Sequence, residues 1–590
     1  MNSSRKSLRT TAIASLGALI LVLAGCSSAQ DRLGDTVRQF AEALSHGDAA
    51  AAAAVTTDPA QATDTLGKLF ASLGTDVEFR PDTVEVDEDA GSFTLDVHWK
   101  FRDGTTEWTY RTAGAATASG DDWKIDWAPT TVAPGLDAGP LSYSTLAPDP
   151  AVRVLDRTGS ELLTQHVVTL VDVSPGADVN AVAALLNPLA PGITADSLRT
   201  DLAAGEPVTA ITLRQEDLAP IEAQLSALSN VTLQPQTRLL ATDKTLTAPT
   251  LAGLSELWQQ RTDEAAGWAI TAQTNAGARR VGGQDPKPVG DIASTLDINL
   301  LRAGEAALAP LPTPAALVAI QPSTGALLAV AQNAPADAQG PIALTGLYPP
   351  GSTFKTVTVS AALQAGQVTP DSVVACPGTE NIEGRQIPND DNFDLGQVPL
   401  HTAFARSCNT TMGRLAVDLP PDALTNAAAQ LGLGIDYTAP GMTTVTGSVP
   451  VADTAALRVE EGIGQGKVTA TPFGMALVAA ALAHGSVPAP SIVEGRPGTP
   501  DRVPDALPPA VAEQVRTMMR ETVTAGTATQ LQDIPDLLGK TGTAEYIDDT
   551  HAHGWFVGIQ GDLALAVFVS DAGSSAPAVD AAGRFLRGVP

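Results

Sequence analysis

The chain has 590 residues, too many for one hydrophobic core, and should divide into about three domains. Its formal charge of −30 comes without any uninterrupted basic stretch, which excludes nucleic acid as a partner, because phosphates demand a Lys/Arg face. The seven His show no ligand spacing, and neither Gly-x-Ser-x-Gly nor His-Glu-x-x-His occurs, so a metal site, a cofactor and a Ser-His-Asp triad are all without support.

Arg5, Lys6 and Arg9 precede an apolar run from Thr10 to Gly25, and no acid occurs before Asp31. This is the layout of a signal peptide, and the run is shorter than the ~20 residues of a spanning helix. It ends in Leu23-Ala24-Gly25-Cys26, which resembles a bacterial lipobox; residues 1–26 are then the signal segment, and Cys26 the lipidated first residue of the mature protein. The alternative is an uncleaved anchor helix. Either places the rest at the extracytoplasmic face of a bacterial cell membrane. Cys376 and Cys408 are the other two cysteines, and a disulfide and two buried thiols both remain open.

Residues 27–138 read as a small α+β domain. Leu33, Val37, Phe40, Ala41 and Leu44 give helical spacing across Asp31 to Ala54. Alternating runs at Val77–Phe79, Ser92–Trp99, Glu107–Arg111 and Trp123–Trp127 suit strands, with turn residues such as Gly104 and Gly120 between them. A helix against such a meander resembles an NTF2-like domain. The Pro/Gly-rich stretch from Ala133 to Pro150 reads as a linker. Val152–Gly159 then reads as a strand and turn that opens a domain over residues 139–290, with Ala276–Pro288 as its exit turns.

From residue 291 to 590, a helix beginning at Ser294 precedes a hairpin, Ala316–Gln321 and Leu327–Val330, turned by Pro322-Ser-Thr-Gly325. A long helical middle and C-terminal strands follow. The pattern is an antiparallel sheet flanked by helices, and the chain as a whole is multidomain α+β.

Three short strings in this last region carry chemistry. Ser352-Thr-Phe-Lys355 follows Tyr348-Pro-Pro-Gly351 and opens a helix-compatible run to Gln364. Ser352 would lie at the helix N-terminus with Lys355 one turn on, facing the same way. Unpaired N–H groups at such an end stabilise a developing oxyanion. Lys355 must be neutral to accept the serine proton, a drop of ~3 units from a reference near 10.4 or about 4 kcal/mol. Burial and a neighbouring cation both act in that direction, and Lys540 is the obvious cation. The Ser-x-x-Lys spacing alone is weak, since Ser3 to Lys6 repeats it in the signal segment.

Ser407-Cys-Asn409 lies in or beside a helical stretch, Thr402 to Leu415. Ser407 would relay a proton to a leaving amine, and Asn409 would hold Lys355 or a substrate amide. Lys540-Thr-Gly-Thr543 precedes a strand edge at which Gly542 would let a substrate backbone pair. Lys540, Thr541 and Thr543 would bind a terminal carboxylate, and the N–H groups of Ser352 and Thr543 would form an oxyanion hole. Gly462-Ile-Gly-Gln-Gly466 lacks the setting of a dinucleotide fingerprint and reads as structural.

Together these strings resemble those of penicillin-binding transpeptidases, a fold shared with class A β-lactamases. The upstream order resembles the class B lipoprotein type with an NTF2-like first domain and a pedestal or dimerisation domain, with Ala151 where those proteins usually carry Arg. The resemblance implies a peptidoglycan D,D-transpeptidase. Ser352 would attack the penultimate D-Ala of a stem peptide ending in D-Ala-D-Ala, and an amine from a neighbouring stem would resolve the ester. β-Lactams would trap the same serine, and glycan polymerisation would belong to a separate membrane glycosyltransferase. A β-lactamase would need a deacylating base, and no Glu-x-x-Leu-Asn string lies between Asn409 and Lys540. A D,D-carboxypeptidase shares all three strings, and a non-catalytic penicillin-binding scaffold or sensor is the rival of another class.

Overall fold

The structure, a computed structural model, describes residues 28–101, 104–120, 122–244, 246, 248–545 and 551–589. Cys26 and the signal segment lie outside the described residues. Among the described residues two compact units form: those up to 149 with 265–288, and those from 150 to 264 with those from 289 onward.

In the first unit a capping box opens the leading helix, Ala29–Ser45: Asp31 N–H donates to Ser28 Oγ at 3.1 Å and Ser28 N–H to Asp31 Oδ2 at 3.0 Å. The single helix expected to Ala54 is two, because the chain turns at Gly47, whose φ is +67°, before Ala49–Ala54. A third helix, Pro59–Leu73, is capped by Asp58 with Pro at its first position, a start signal the hydrophobic spacing had not drawn out. The helices cover a four-stranded antiparallel meander, Val77–Asp87, Ala90–Phe101, Thr106–Ser119 and Asp122–Ile125. Phe40, Phe93 and Trp99 are fully buried in its core.

The expected linker from Ala133 to Pro150 is not one. Val132, Ala133 and Leu136 join the core, and Leu141–Leu146 forms a strand. That strand pairs with Gly267–Thr274, which pairs in turn with Gly277–Gln284. The expected exit turns are therefore half of a hairpin. Its Ile270 and Ala272 are buried with Leu141, and Tyr143 stacks on Phe101 at 4.7 Å between ring centroids. Apolar side chains on both strands, not Pro/Gly content, decide the structure here. The compact units thus divide the chain differently from the boundaries at 139 and 290 read from the sequence.

In the second unit, Val154–Leu155 and its turn form as expected, with Asp156 Oδ1 accepting the N–H groups of Thr158 and Ser160. This strand pairs with Glu161–Val173 and, in parallel, with Ile292–Ala293. Arg153 fixes that entry through an ion pair to Asp291 at 2.6 Å. The expected helix at Ser294 begins only at Ile298, because Asp297 is its N-cap and Ser294 bridges Val493 as extended chain.

The dominant sheet comprises β1 (Ala315–Ile320), β2 (Leu327–Gln332), β3 (Leu538–Glu545), β4 (Ala552–Gln560) and β5 (Leu563–Val569). All neighbours are antiparallel in the order β2-β1-β5-β4-β3, which leaves β3 at an edge. Five helices position the site: α1 (Lys355–Gln364), α2 (Leu400–Ala405), α3 (Asn409–Asp418), α4 (Pro472–His484) and α5 (Pro509–Thr524). α4 is buried from Pro472 through Leu482, so it is apolar all round, as a central helix must be.

Candidate active site

Gly351–Phe354 forms a 3-10 turn that runs straight into α1. The segment before it is anchored by Tyr348, stacked on Phe568 at 4.1 Å, and by Trp555 Nε1, which donates to Pro349 O at 3.0 Å. The turn lies between two backbones. Gly351 N–H donates to Gly464 O at 3.0 Å, and a Cβ at Gly351 would lie only 2.4 Å from Thr543 O on β3. A Cβ at Gly542 would meet Thr353 Cγ2 at 2.9 Å and Pro350 O at 3.0 Å. Gly542 therefore lets the Ser352 turn sit against the strand edge, a reason the sequence did not disclose. Gly464, in the glycine-rich segment read as structural, has φ +76° and supports the turn from the other side.

Ser407 lies between α2 and α3 in the left-handed region, with φ +62°. Ser407 N–H donates to Phe404 O at 2.9 Å and Cys408 N–H to Ala403 O at 2.8 Å. This pair of bonds is the Schellman closure of α2, with Ser407 where glycine is usual. The next helix starts immediately. Cys408 supplies no side-chain cap, and Asn389 Oδ1 accepts the N–H of Asn409 at 2.8 Å and of Thr410 at 3.2 Å instead. A disulfide joins Cys376 to Cys408, which resolves the open alternative at those two residues. The strained serine is thus held by a helix end, a distant cap and a covalent tie.

Side chains of the three strings meet. Lys355 Nζ lies 2.9 Å from Ser352 Oγ, 2.7 Å from Ser407 O, 3.1 Å from Ser407 Oγ and 2.6 Å from Asn409 Oδ1. Lys540 Nζ lies 3.0 Å from Ser407 Oγ and 2.9 Å from Thr541 O. Asn409 Nδ2 donates to Pro388 O at 2.9 Å, which fixes its carbonyl toward Lys355. Both lysines are fully buried, while Ser352 is half-buried and accessible.

Burial, with Lys540 as the second cause, holds the Lys355 amine well below the ordinary lysine range, against the opposing charge of Asp390. Burial brings Lys540 down to about 7. The hydrogen-bond inventory agrees. Ser407 O and Asn409 Oδ1 can only accept, so when the amine is neutral they take both of its hydrogens. The remaining lone pair is then free for a hydroxyl proton. Among the described residues no carboxylate is hydrogen-bonded to Ser352 or to either lysine amine. The arrangement can deprotonate Ser352 without histidine or metal, and it can pass a proton between two amines through Ser407.

Thr541 is buried with its hydroxyl 2.6 Å from that of Thr527, and Thr543 is part-exposed further along β3. Sequence reasoning missed Asn389, Thr527 and Phe404, whose ring lies 5.6 Å from Lys540 Nζ. None belongs to a recognisable string, and only the fold brings them to the cleft.

Comparison with known proteins agrees with this geometry. Residues 315–587 match the penicillin binding protein transpeptidase domain, and residues 34–140 match the NTF2-like N-terminal transpeptidase domain. A peptidoglycan D,D-transpeptidase PbpA of Mycolicibacterium smegmatis is 32% identical over 313 residues, covering 44% of this chain and 63% of that protein. The PbpA of Mycobacterium tuberculosis is 31% identical over 322 residues, covering 47% and 65%. A peptidoglycan D,D-transpeptidase MrdA of Acinetobacter baumannii is 26% identical over 312 residues, covering 45% and 46%. The chain thus spans less than two thirds of the length of these relatives. It is similar to an NTF2-like N-terminal transpeptidase domain over residues 34–140, to a penicillin binding protein transpeptidase domain over 315–587, and in part to named peptidoglycan D,D-transpeptidases.

Proposed function

We propose that this protein is a peptidoglycan D,D-transpeptidase acting through an ester on Ser352. The observation that carries the reading is the position of the buried Lys355 amine, 2.9 Å from Ser352 Oγ and within hydrogen-bond reach of Ser407 O and Asn409 Oδ1. Lys355 takes the Ser352 proton as Oγ attacks the carbonyl of the penultimate D-Ala. The N–H groups of Ser352 and Thr543 receive the oxyanion, and Lys540 with Thr541 and Thr543 receives the terminal carboxylate. Collapse breaks the peptide bond, and Ser407 hands a proton to the departing D-Ala amine. A second stem-peptide amine then attacks the ester, gives up its proton along the same path, and restores Ser352. Gly542 lets the Ser352 turn pack against β3, whose edge the extended donor stem would follow.

β-Lactams acylate the same serine in this reading. The names of the PbpA and MrdA relatives support the reaction class. Lipidation at Cys26 would anchor the protein to the extracytoplasmic face of the membrane, where a separate glycosyltransferase supplies glycan strands. The pedestal read from the sequence at 139–290 would then be confined to residues 150–264, in the same compact unit as the catalytic domain at 291–590. Incubation with a labelled penicillin and peptide mapping tests the central claim. One adduct is expected, on Ser352, and it is lost in Ser352→Ala. Rapid release of hydrolysed drug, or no adduct on folded protein, would overturn the proposal. With a pentapeptide donor, a cross-linked dimer is expected; trimmed monomer alone would make it a carboxypeptidase.

A further inference from the structure

Thr527 touches two of the three active-site segments. Its turn, Gly526-Thr527-Ala528, follows α5 and leads toward β3. Thr527 N–H donates to Ala405 O, the last residue of α2, at 3.2 Å, and a Cβ at Gly526 would lie 2.3 Å from the same oxygen. Ala528 N–H donates back to Thr522 O at 3.0 Å and closes the turn. α2 and α5 are also joined by side chains, with Thr402 Oγ1 donating to Glu521 Oε1 at 3.1 Å and His401 Nδ1 2.5 Å from Glu521 Oε2. The Thr527 hydroxyl lies 2.6 Å from that of Thr541 on β3. Thr527 therefore bonds through its backbone to the helix that leads into Ser407, and through its side chain to the residue after Lys540.

A hydroxyl has one hydrogen to give and two lone pairs. Thr541 is 3% exposed, so its neighbours and not bulk water orient its hydroxyl. When Thr527 donates to Thr541 Oγ1, the Thr541 hydrogen is turned away from Thr527 and is available to a ligand. We propose that Thr527 is a positioning residue that aims the Thr541 hydroxyl at the terminal carboxylate of the ligand, and so sets the preference of the site for free carboxylates. This rests on the proposed reading of the site.

The test compares second-order acylation rate constants of the full chain with benzylpenicillin and with its methyl ester, in which the carboxylate is masked. A well-placed hydrogen bond to a charged group is worth about tenfold or more. Thr527→Val should therefore slow benzylpenicillin about tenfold while changing the methyl ester rate less than about twofold. Thr527→Ser should restore the preference. Equal slowing with both ligands, or no change with either, would overturn the proposal. If Thr527→Val fails to fold by thermal melting, Thr527→Ala is judged by the same two rates. A wild-type chain that benzylpenicillin does not acylate on Ser352 defeats the proposed function and this inference with it; normal acylation without a carboxylate-selective loss defeats this inference alone.

Discussion

Asn389 caps the helix that carries Asn409 from outside that helix, its Oδ1 accepting the Asn409 N–H at 2.8 Å while its Nδ2 donates to Pro377 O at 2.9 Å and Phe393 O at 2.8 Å. A buried amide with every group satisfied fixes both the loop and the helix start. Asn389→Ala should cost about 1–2 kcal/mol of stability, the usual loss of a cap. It should also slow penicillin acylation, because Asn409 Oδ1 orients Lys355. Denaturant melts and acylation rates check the two effects separately.

Ser407→Gly separates strain from chemistry. Glycine relieves the left-handed backbone by about 1 kcal/mol, so the midpoint of thermal unfolding should hold or rise. The hydroxyl shared by Lys355 and Lys540 disappears, and acylation should fall by about 10²-fold, within the span typical of a lost proton-transfer group. A variant that lost stability and kept its rate would contradict both halves.

The buried lysines impose a pH dependence on stability. Lys540 titrates near 7 in the folded chain against 10.5 as its ordinary value. Between those values the unfolded chain binds a proton that the folded chain does not, so stability rises with pH across this window. Lys540→Met removes that slope, and its advantage in melting temperature over wild type should be greatest near pH 6–7 and shrink toward pH 10. Lys540 is also one cause of the lowered Lys355 value, so the acidic limb of whatever acylation remains should move to higher pH in the variant.

The Cys376–Cys408 tie closes a sequence separation of 32 residues. Replacing both cysteines with Ala should cost about 4 kcal/mol by the chain-entropy account. Ser407, adjacent to the tie, should lose its fixed geometry, and acylation should slow beyond what the lower stability predicts. Melting and acylation with and without reductant give the same comparison in wild type.

The sequence disclosed the chemistry better than its scaffolding. Ser352, Lys355, Ser407, Asn409 and Lys540 stood in recognisable strings, because proton transfer at a helix end dictates residue types at fixed spacing. The central sheet was legible from the hairpin around Gly325 and the strand edge after Lys540-Thr-Gly-Thr543. Asn389 and Thr527 were not, since an Asn before two acids and a Thr in a turn look like solvent-facing residues until tertiary contacts bury them. The stretch from Ala133 to Pro150 misled for a different reason. Proline and glycine report how a chain can bend, whereas Leu141 and Tyr143 there report what it must bury.

The strand Leu141–Leu146 and the hairpin Gly267–Gln284 bind one another across more than a hundred intervening residues. A gene fragment beginning at Pro150 would still encode the hairpin but not its partner, leaving Ile270 and Ala272 without their cover and a bare edge inviting aggregation. Clean excision of the amino-terminal unit therefore takes two deletions: the leading segment must go together with residues 265–288, and a short bridge must rejoin Glu264 to Val289.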